Sequence, residues 1–103
     1  MTIFNEKMTL RLSVQQALIQ EIAPDVVAVT CGLKDKQIVL IGYFDHEITP
    51  ADEERVHLWG GDMIGHFPDD YDIHEYAKPI NNKSLEMLDF WAFARADANL
   101  AAF

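Results

Sequence analysis

Apolar residues recur at spacings of three and four near the start of the chain. Leu10, Val14, Ala17, Leu18 and Ile22 share one side of a helical projection, with Arg11, Gln15, Gln16 and Gln20 opposite. The spacing predicts a helix over residues 6–22. Asn5 is its candidate N-cap, and Ser13 with Gln16 three residues on is a rival, later capping box. Pro24 closes the segment, because the residue before a proline is pushed out of the helical region.

The period then changes. Residues 26–31 and 38–44 are β-branched runs joined by the polar stretch 32–37, which reads as a hairpin turn. Both runs are apolar at odd and even positions, as in Ile38-Val39-Leu40-Ile41. Such strands expect cover on both faces, as central strands have, or one apolar face that meets a partner.

Thr49-Pro50-Ala51-Asp52 is a helix start. Thr49 suits the N-cap, Pro50 the first helical position, and Asp52 reaches back to complete the box. Acids at 52, 53 and 54 complement the positive end of the helix dipole. Val56, Trp59, Gly60, Met63 and Phe67 keep helical phase as far as Pro68. Gly60-Gly61 interrupts at about 1 kcal/mol per glycine. The stripe stays in phase across the pair, which favours one helix over two, with a kink as the alternative. Gly60 falls on the buried stripe, where a missing side chain lets the helix approach the sheet closely.

Asp69-Asp70 makes a turn, and residues 71–80 read as a third strand built on Tyr71, Ile73 and Tyr76, ended by the polar stretch 79–82. Over 84–103 two readings stand. Leu, Met and Ala favour helix, whereas Phe90, Trp91 and Phe93 suit a strand.

At 103 residues, 50% hydrophobic and 24% charged, the chain makes one domain with a core of its own. No run approaches the ~20 apolar residues of a membrane-spanning helix. The N-terminus lacks the basic start and apolar run of a secretory signal, so a cytoplasmic protein is expected. The lone Cys31 makes neither an internal disulfide nor a cysteine-based zinc site. Seventeen acids against eight Lys and Arg leave a net charge of −9. That argues against nucleic acid, whose binders place Lys and Arg on phosphates, and against an anionic membrane surface.

The position of the charge says more than its size. Residues 45–75 hold ten acids (Asp45, Glu47, Asp52, Glu53, Glu54, Asp62, Asp69, Asp70, Asp72 and Glu75) and one base, Arg55. That segment therefore carries the whole excess, and the rest of the chain is balanced. Like charges crowded together destabilise the isolated fold and steer a basic partner toward it. An acidic solubilising surface is the plainer explanation of the same numbers.

Catalytic chemistry is poorly represented. All four histidines, His46, His57, His66 and His74, lie in the acidic segment, but no His-Glu-x-x-His pattern is present. His57 and His66, nine apart, point to different sides of a helix. His46 and His74 converge only if the strands bring them together. Cys31 sits in an apolar strand with no adjacent base, and Ser13 and Ser84 lie outside any strand-turn-helix elbow. Many carboxylate pairs are available for acid–base work, and nothing selects one. Gly60-Gly61 lacks the lysine of a phosphate loop and is ringed by acids. No metal, cofactor or enzymatic activity is expected.

Residues 43–54, reading Tyr43-Phe44-Asp45-His46-Glu47-Ile48-Thr49-Pro50-Ala51-Asp52-Glu53-Glu54, are followed by Phe67-Pro68-Asp69-Asp70-Tyr71-Asp72-Ile73. Over about residues 8–95 the chain resembles immunity proteins of bacterial polymorphic toxin systems, especially those of contact-dependent growth inhibition. The shared features are the Tyr-Phe-Asp strand end, the acidic helix start and the Phe-Pro turn into another strand. The chain departs from that pattern at Trp59-Gly60-Gly61-Asp62, where a polar, helix-favouring stretch is expected. The resemblance implies the order α-β-β-α-β-β, with a last strand over 90–95. It also implies neutralisation of a cognate toxin's C-terminal domain, often a nuclease.

The expectation is an α+β domain spanning residues 1–103, with two helices on one face of a mostly antiparallel sheet. The expected function is an immunity protein whose acidic face occupies a basic, nucleic-acid-binding cleft. The contact residues are Glu47, Asp52, Glu53, Asp62, Asp69, Asp70 and Asp72, with Tyr71 as an aromatic anchor. One rival is an adaptor or homodimeric assembly subunit using the sheet face around Val39, Ile41 and Tyr43. The other is a small metal-dependent hydrolase with His46, His66 or His74 as ligands.

Overall fold

A computed structural model describes residues 4–19, 21–80 and 85–98 of the chain. The first helix, α1 (Glu6–Leu18), is capped by Asn5, whose side-chain oxygen accepts the Met8 N–H at 3.0 Å. Ser13 caps nothing. It is buried, and its hydroxyl donates to the Leu10 carbonyl at 3.1 Å. The helix stops at Leu18, short of the expected residue 22, because Ile19 turns out of helical geometry (φ −58°, ψ 122°). Ile22 still packs on the core from the following loop, which is why the apolar period overruns the helix.

Strands β1 (Val26–Lys34) and β2 (Gln37–Phe44) form an antiparallel hairpin. Its turn is two residues and not six. Asp35 (φ 52°) and Lys36 (φ 63°) both take left-handed conformations, the geometry whose twist matches the flanking strands. Gly32, Leu33, Lys34 and Gln37 therefore join the ladder, opposite Val39, Ile38, Gln37 and Lys34.

Helix α2 (Pro50–Ile64) opens on the expected capping box and runs unbroken through Gly60-Gly61. Beyond Gly65 the chain tightens into three-residue turns, His66 N–H to Met63 O at 3.0 Å and Phe67 N–H to Ile64 O at 3.1 Å. These keep Phe67 in phase although it lies outside the helix. Strand β3 (Asp72–Pro79) then pairs parallel with β2, and β4 (Phe90–Ala94) pairs antiparallel with β1. The sheet order is β3-β2-β1-β4, so the two doubly apolar strands are its central pair. The aromatic block is thus a strand: β1 offers it an open edge, and Arg11 of α1 covers the Phe90 ring, 4.3 Å from its centroid. Gln20, Asn81, Asn82, Ser84 and residues 99–103, on which parts of the sequence reading fall, lie outside the described residues.

The main core joins both helices to one face of the sheet. Leu10, Val14 and Leu18 meet Val56, Trp59, Met63 and Phe67 over Ile38, Leu40 and Phe44. Trp59 stacks on Phe44, with centroids 6.4 Å apart and planes 13° apart. The opposite face carries a smaller cluster of Val27, Ala28, Ile41, Tyr43 and Leu85. It is roofed by the chain leading into β4. Tyr43 Oη donates to Glu86 O at 3.0 Å, and the Leu88 N–H donates to Thr30 Oγ1 at 2.9 Å. Ile41 and Tyr43 are consequently buried, which removes most of the surface that the assembly-subunit reading relied on.

Candidate partner interface

The acids of residues 45–75 divide into three kinds according to what the fold places beside them. The first kind is structural. Asp52 is only 4% exposed: its Oδ2 accepts from Thr49 N–H (2.9 Å) and Thr49 Oγ1 (3.0 Å), while Oδ1 takes the Arg55 guanidinium at 3.4 Å. Expected as a contact residue, it is committed to the helix cap. The aromatic anchor is withdrawn in the same way. Tyr71 is buried, packs edge-on against Phe4 and beside Phe67, and donates its hydroxyl to Glu6 Oε2 at 2.5 Å. That carboxylate, with burial, raises the phenol to a pKa of about 12.

The second kind is neutralised by bases from elsewhere in the chain. Asp70 pairs with Lys36 of the hairpin turn, which holds its pKa below the ordinary carboxylate value. Asp45 pairs with Arg95 at 2.9 Å. Asp72 is not neutralised: it is exposed and accepts only a long hydrogen bond from the uncharged Gln37 amide (3.4 Å).

The third kind stays free. Glu47, Glu53, Glu54, Asp62 and Asp69 are exposed and meet no cation among the described residues. Glu47 and Glu53 sit at the N-terminal end of α2, while Asp62 and Asp69 sit at its C-terminal end, a separation of about 22 Å for fifteen helical residues. The free members of the expected contact set are therefore two clusters at the ends of α2, and Glu54 joins the N-terminal one on the exposed side of the helix.

The histidines do not converge. His46 lies past the end of β2, and His74 lies opposite Val39 near the other end of the sheet, hydrogen-bonded to Gln37 Oε1 at 2.8 Å. His57 pairs with Glu75 (Nδ1 to Oε1, 3.0 Å), and His66 is exposed beyond α2. A different trio does meet: ligand atoms of Asp25, His46 and Asp52 all lie within 4.8 Å of one another. A cation already occupies that position, because Arg55 bonds Asp25 through both terminal nitrogens (2.9 and 3.2 Å) and also reaches Asp52. The Arg55 and His46 hydrogen bonds lower the Asp25 pKa to about 2. The cluster is an ion-pair clamp tying the loop before β1 to the start of α2. Cys31 is fully buried and its pKa is pushed up to about 12 by burial, so it is no nucleophile.

The helical layer also carries exposed apolar side chains that the charge pattern gives no sign of. Met8 and Leu12 share the outward side of α1, Ile19 is exposed at its C-cap, and Leu58 stands among the free acids of α2. The spacing of four was legible, but it is masked by the stronger inward stripe of the same helix.

The MafI2 immunity protein family matches residues 7–97, nearly the whole chain. A search of curated proteins finds no match. The match names a Maf-type polymorphic toxin system, in place of the contact-dependent growth inhibition systems that the resemblance brought forward. With an α-β-β-α-β-β fold, two helices on one sheet face and a free acidic surface along the second helix, the chain belongs to the MafI2 immunity protein family.

Proposed function

We propose that the chain neutralises its toxin by one-to-one binding and without catalysis, in the cytoplasm, through the free acids along α2 and its flanking loops. The partner surface is the basic cleft of the toxin's C-terminal domain, and the best fit is a nuclease whose nucleic-acid site the acidic face occupies. The observation that carries this reading is the set of free carboxylates: Glu47, Glu53, Glu54, Asp62 and Asp69 remain exposed although Lys36, Arg55 and Arg95 neutralise their neighbours. Clustered unpaired charge of one sign accelerates association with an oppositely charged site and blocks a polyanionic substrate.

The test is the association rate with the purified cognate toxin domain as salt is raised. A rate falling roughly tenfold or more between low and physiological ionic strength supports the electrostatic route. A tight complex whose association ignores salt overturns that route and leaves neutralisation to apolar contacts. Protection of the toxin's substrate in step with complex formation is the second readout.

A further inference from the structure

The outward side of α1 sets Met8 and Leu12 among the polar Gln15 and Gln16. Met8 and Leu12, each 58% exposed, lie opposite the buried Leu10, Val14 and Ala17, and Ile19 at the C-cap is 64% exposed. Leu58, also 58% exposed, stands on α2 in the same layer. Single exposed apolar residues are ordinary, but here Met8 and Leu12 stand one turn apart on α1 and Leu58 stands on the other helix of the same layer. Its surroundings add a second observation. Gly61 follows Leu58 by three residues on the exposed side of α2, and a β-carbon built there meets nothing within 4 Å. A glycine inside a helix weakens it, and nothing among the described residues packs where the side chain would be. It leaves bare backbone beside Leu58.

We infer that this outer face of the two helices, with Met8, Leu12, Ile19 and Leu58 at its centre, is the apolar core of the toxin interface. The free acids Glu53, Glu54 and Asp62 form its rim. The occupant is a toxin surface with an apolar patch bordered by lysines or arginines. Interfaces of this build take most of their affinity from a desolvated centre and their orientation from a charged rim. Charge favours a basic-rimmed partner over a second copy of the chain, because pairing this face with itself would bring the exposed Glu54 and Asp62 that flank Leu58 against like charges. The inference rests on the toxin-binding reading above and locates its affinity, where the acids supply its rate.

The test measures binding of the purified cognate toxin domain to three variants. Met8→Gln combined with Leu12→Gln, and Leu58→Gln alone, are expected to dissociate at least tenfold faster with the salt dependence of association unchanged. Gly61→Gln is expected to raise the unfolding midpoint, as a better helix former, and yet to dissociate faster. A purely structural role for residue 61 would leave dissociation unmoved. Wild-type dissociation in all three, while Glu53→Lys with Asp62→Lys weakens binding, overturns this face and leaves the acidic reading standing. Wild-type binding in both sets overturns both. Concentration-dependent mass of the chain alone, abolished by Leu12→Gln, assigns the face to a second copy and overturns the inference.

Discussion

The Glu75 carboxylate on β3 is seated against the bare backbone of Gly60 on α2: a β-carbon at residue 60 would lie 1.8 Å from Glu75 Oε2. The other oxygen reaches His57 Nδ1 at 3.0 Å, while Oε2 is buried with no hydrogen-bond partner among the described residues. Adjacent glycines in one helix thus differ in kind. Gly60 is required by a neighbour in the fold, and Gly61 faces open space.

Two substitutions of the same chemistry should therefore have opposite signs. Gly61→Ala is expected to stabilise by about 0.5–1 kcal/mol through helix propensity. Gly60→Ala is expected to destabilise by about 1 kcal/mol, because Glu75 must rotate away and abandon His57. In a Glu75→Ala background, Gly60→Ala should become neutral or stabilising. Urea unfolding of the four proteins checks the cycle, and additivity of the two changes would refute the contact.

Stability and binding should separate among the acids. Asp52→Ala removes the capping box and is expected to lower stability by about 1–2 kcal/mol, with little change in toxin association. Tyr71→Phe loses the bond to Glu6 and should lower stability by about 1 kcal/mol, likewise without slowing association. Glu53→Lys and Asp62→Lys should do the reverse. Thermal melts beside association rates check all four.

Stability should peak at mildly acidic pH. Asp25 is lowered from 3.8 to about 2 by the Arg55 and His46 hydrogen bonds, so its contribution is present above pH 3.8 and is lost as pH falls toward about 2. His46 is raised above 6.5 by its bonds to the Glu47 carbonyl and to Asp25, and His57 by its bond to Glu75. Their contributions are complete below pH 6.5 and are lost as pH rises through the raised values. The urea midpoint should be highest between about pH 4 and about pH 6.5 and decline on both sides. His57→Gln should flatten part of the alkaline limb alone, whereas His46→Gln should flatten the rest of it and also weaken the acid limb, because His46 is one of the two partners that lower Asp25.

Legibility along the chain followed the range of the interaction concerned. Asn5 and the Thr49–Asp52 box act within three residues, and both caps stand where the sequence puts them. The central place of β1 and β2 was legible because apolar residues on both faces need two layers of cover. The helix end at Leu18 was not, since Ile22 satisfies the apolar period from a loop. The turn at Asp35-Lys36 was hidden too, because its left-handed residues are neither glycine nor asparagine.

The candidate site divides in the same way. The chain alone determined that its excess charge is confined to residues 45–75, because charge is counted without knowing where anything folds. Tertiary structure decided which of those charges remain free. Lys36 and Arg95 are distant in sequence from Asp70 and Asp45 and meet them only through the hairpin turn and the exit of β4. Asp52 and Tyr71 are withdrawn by a cap and by α1, and the outward pole of α1 becomes exposed only because its other side is occupied. Pairing, burial and exposure are properties of neighbours, and the neighbours here come from separate parts of the chain.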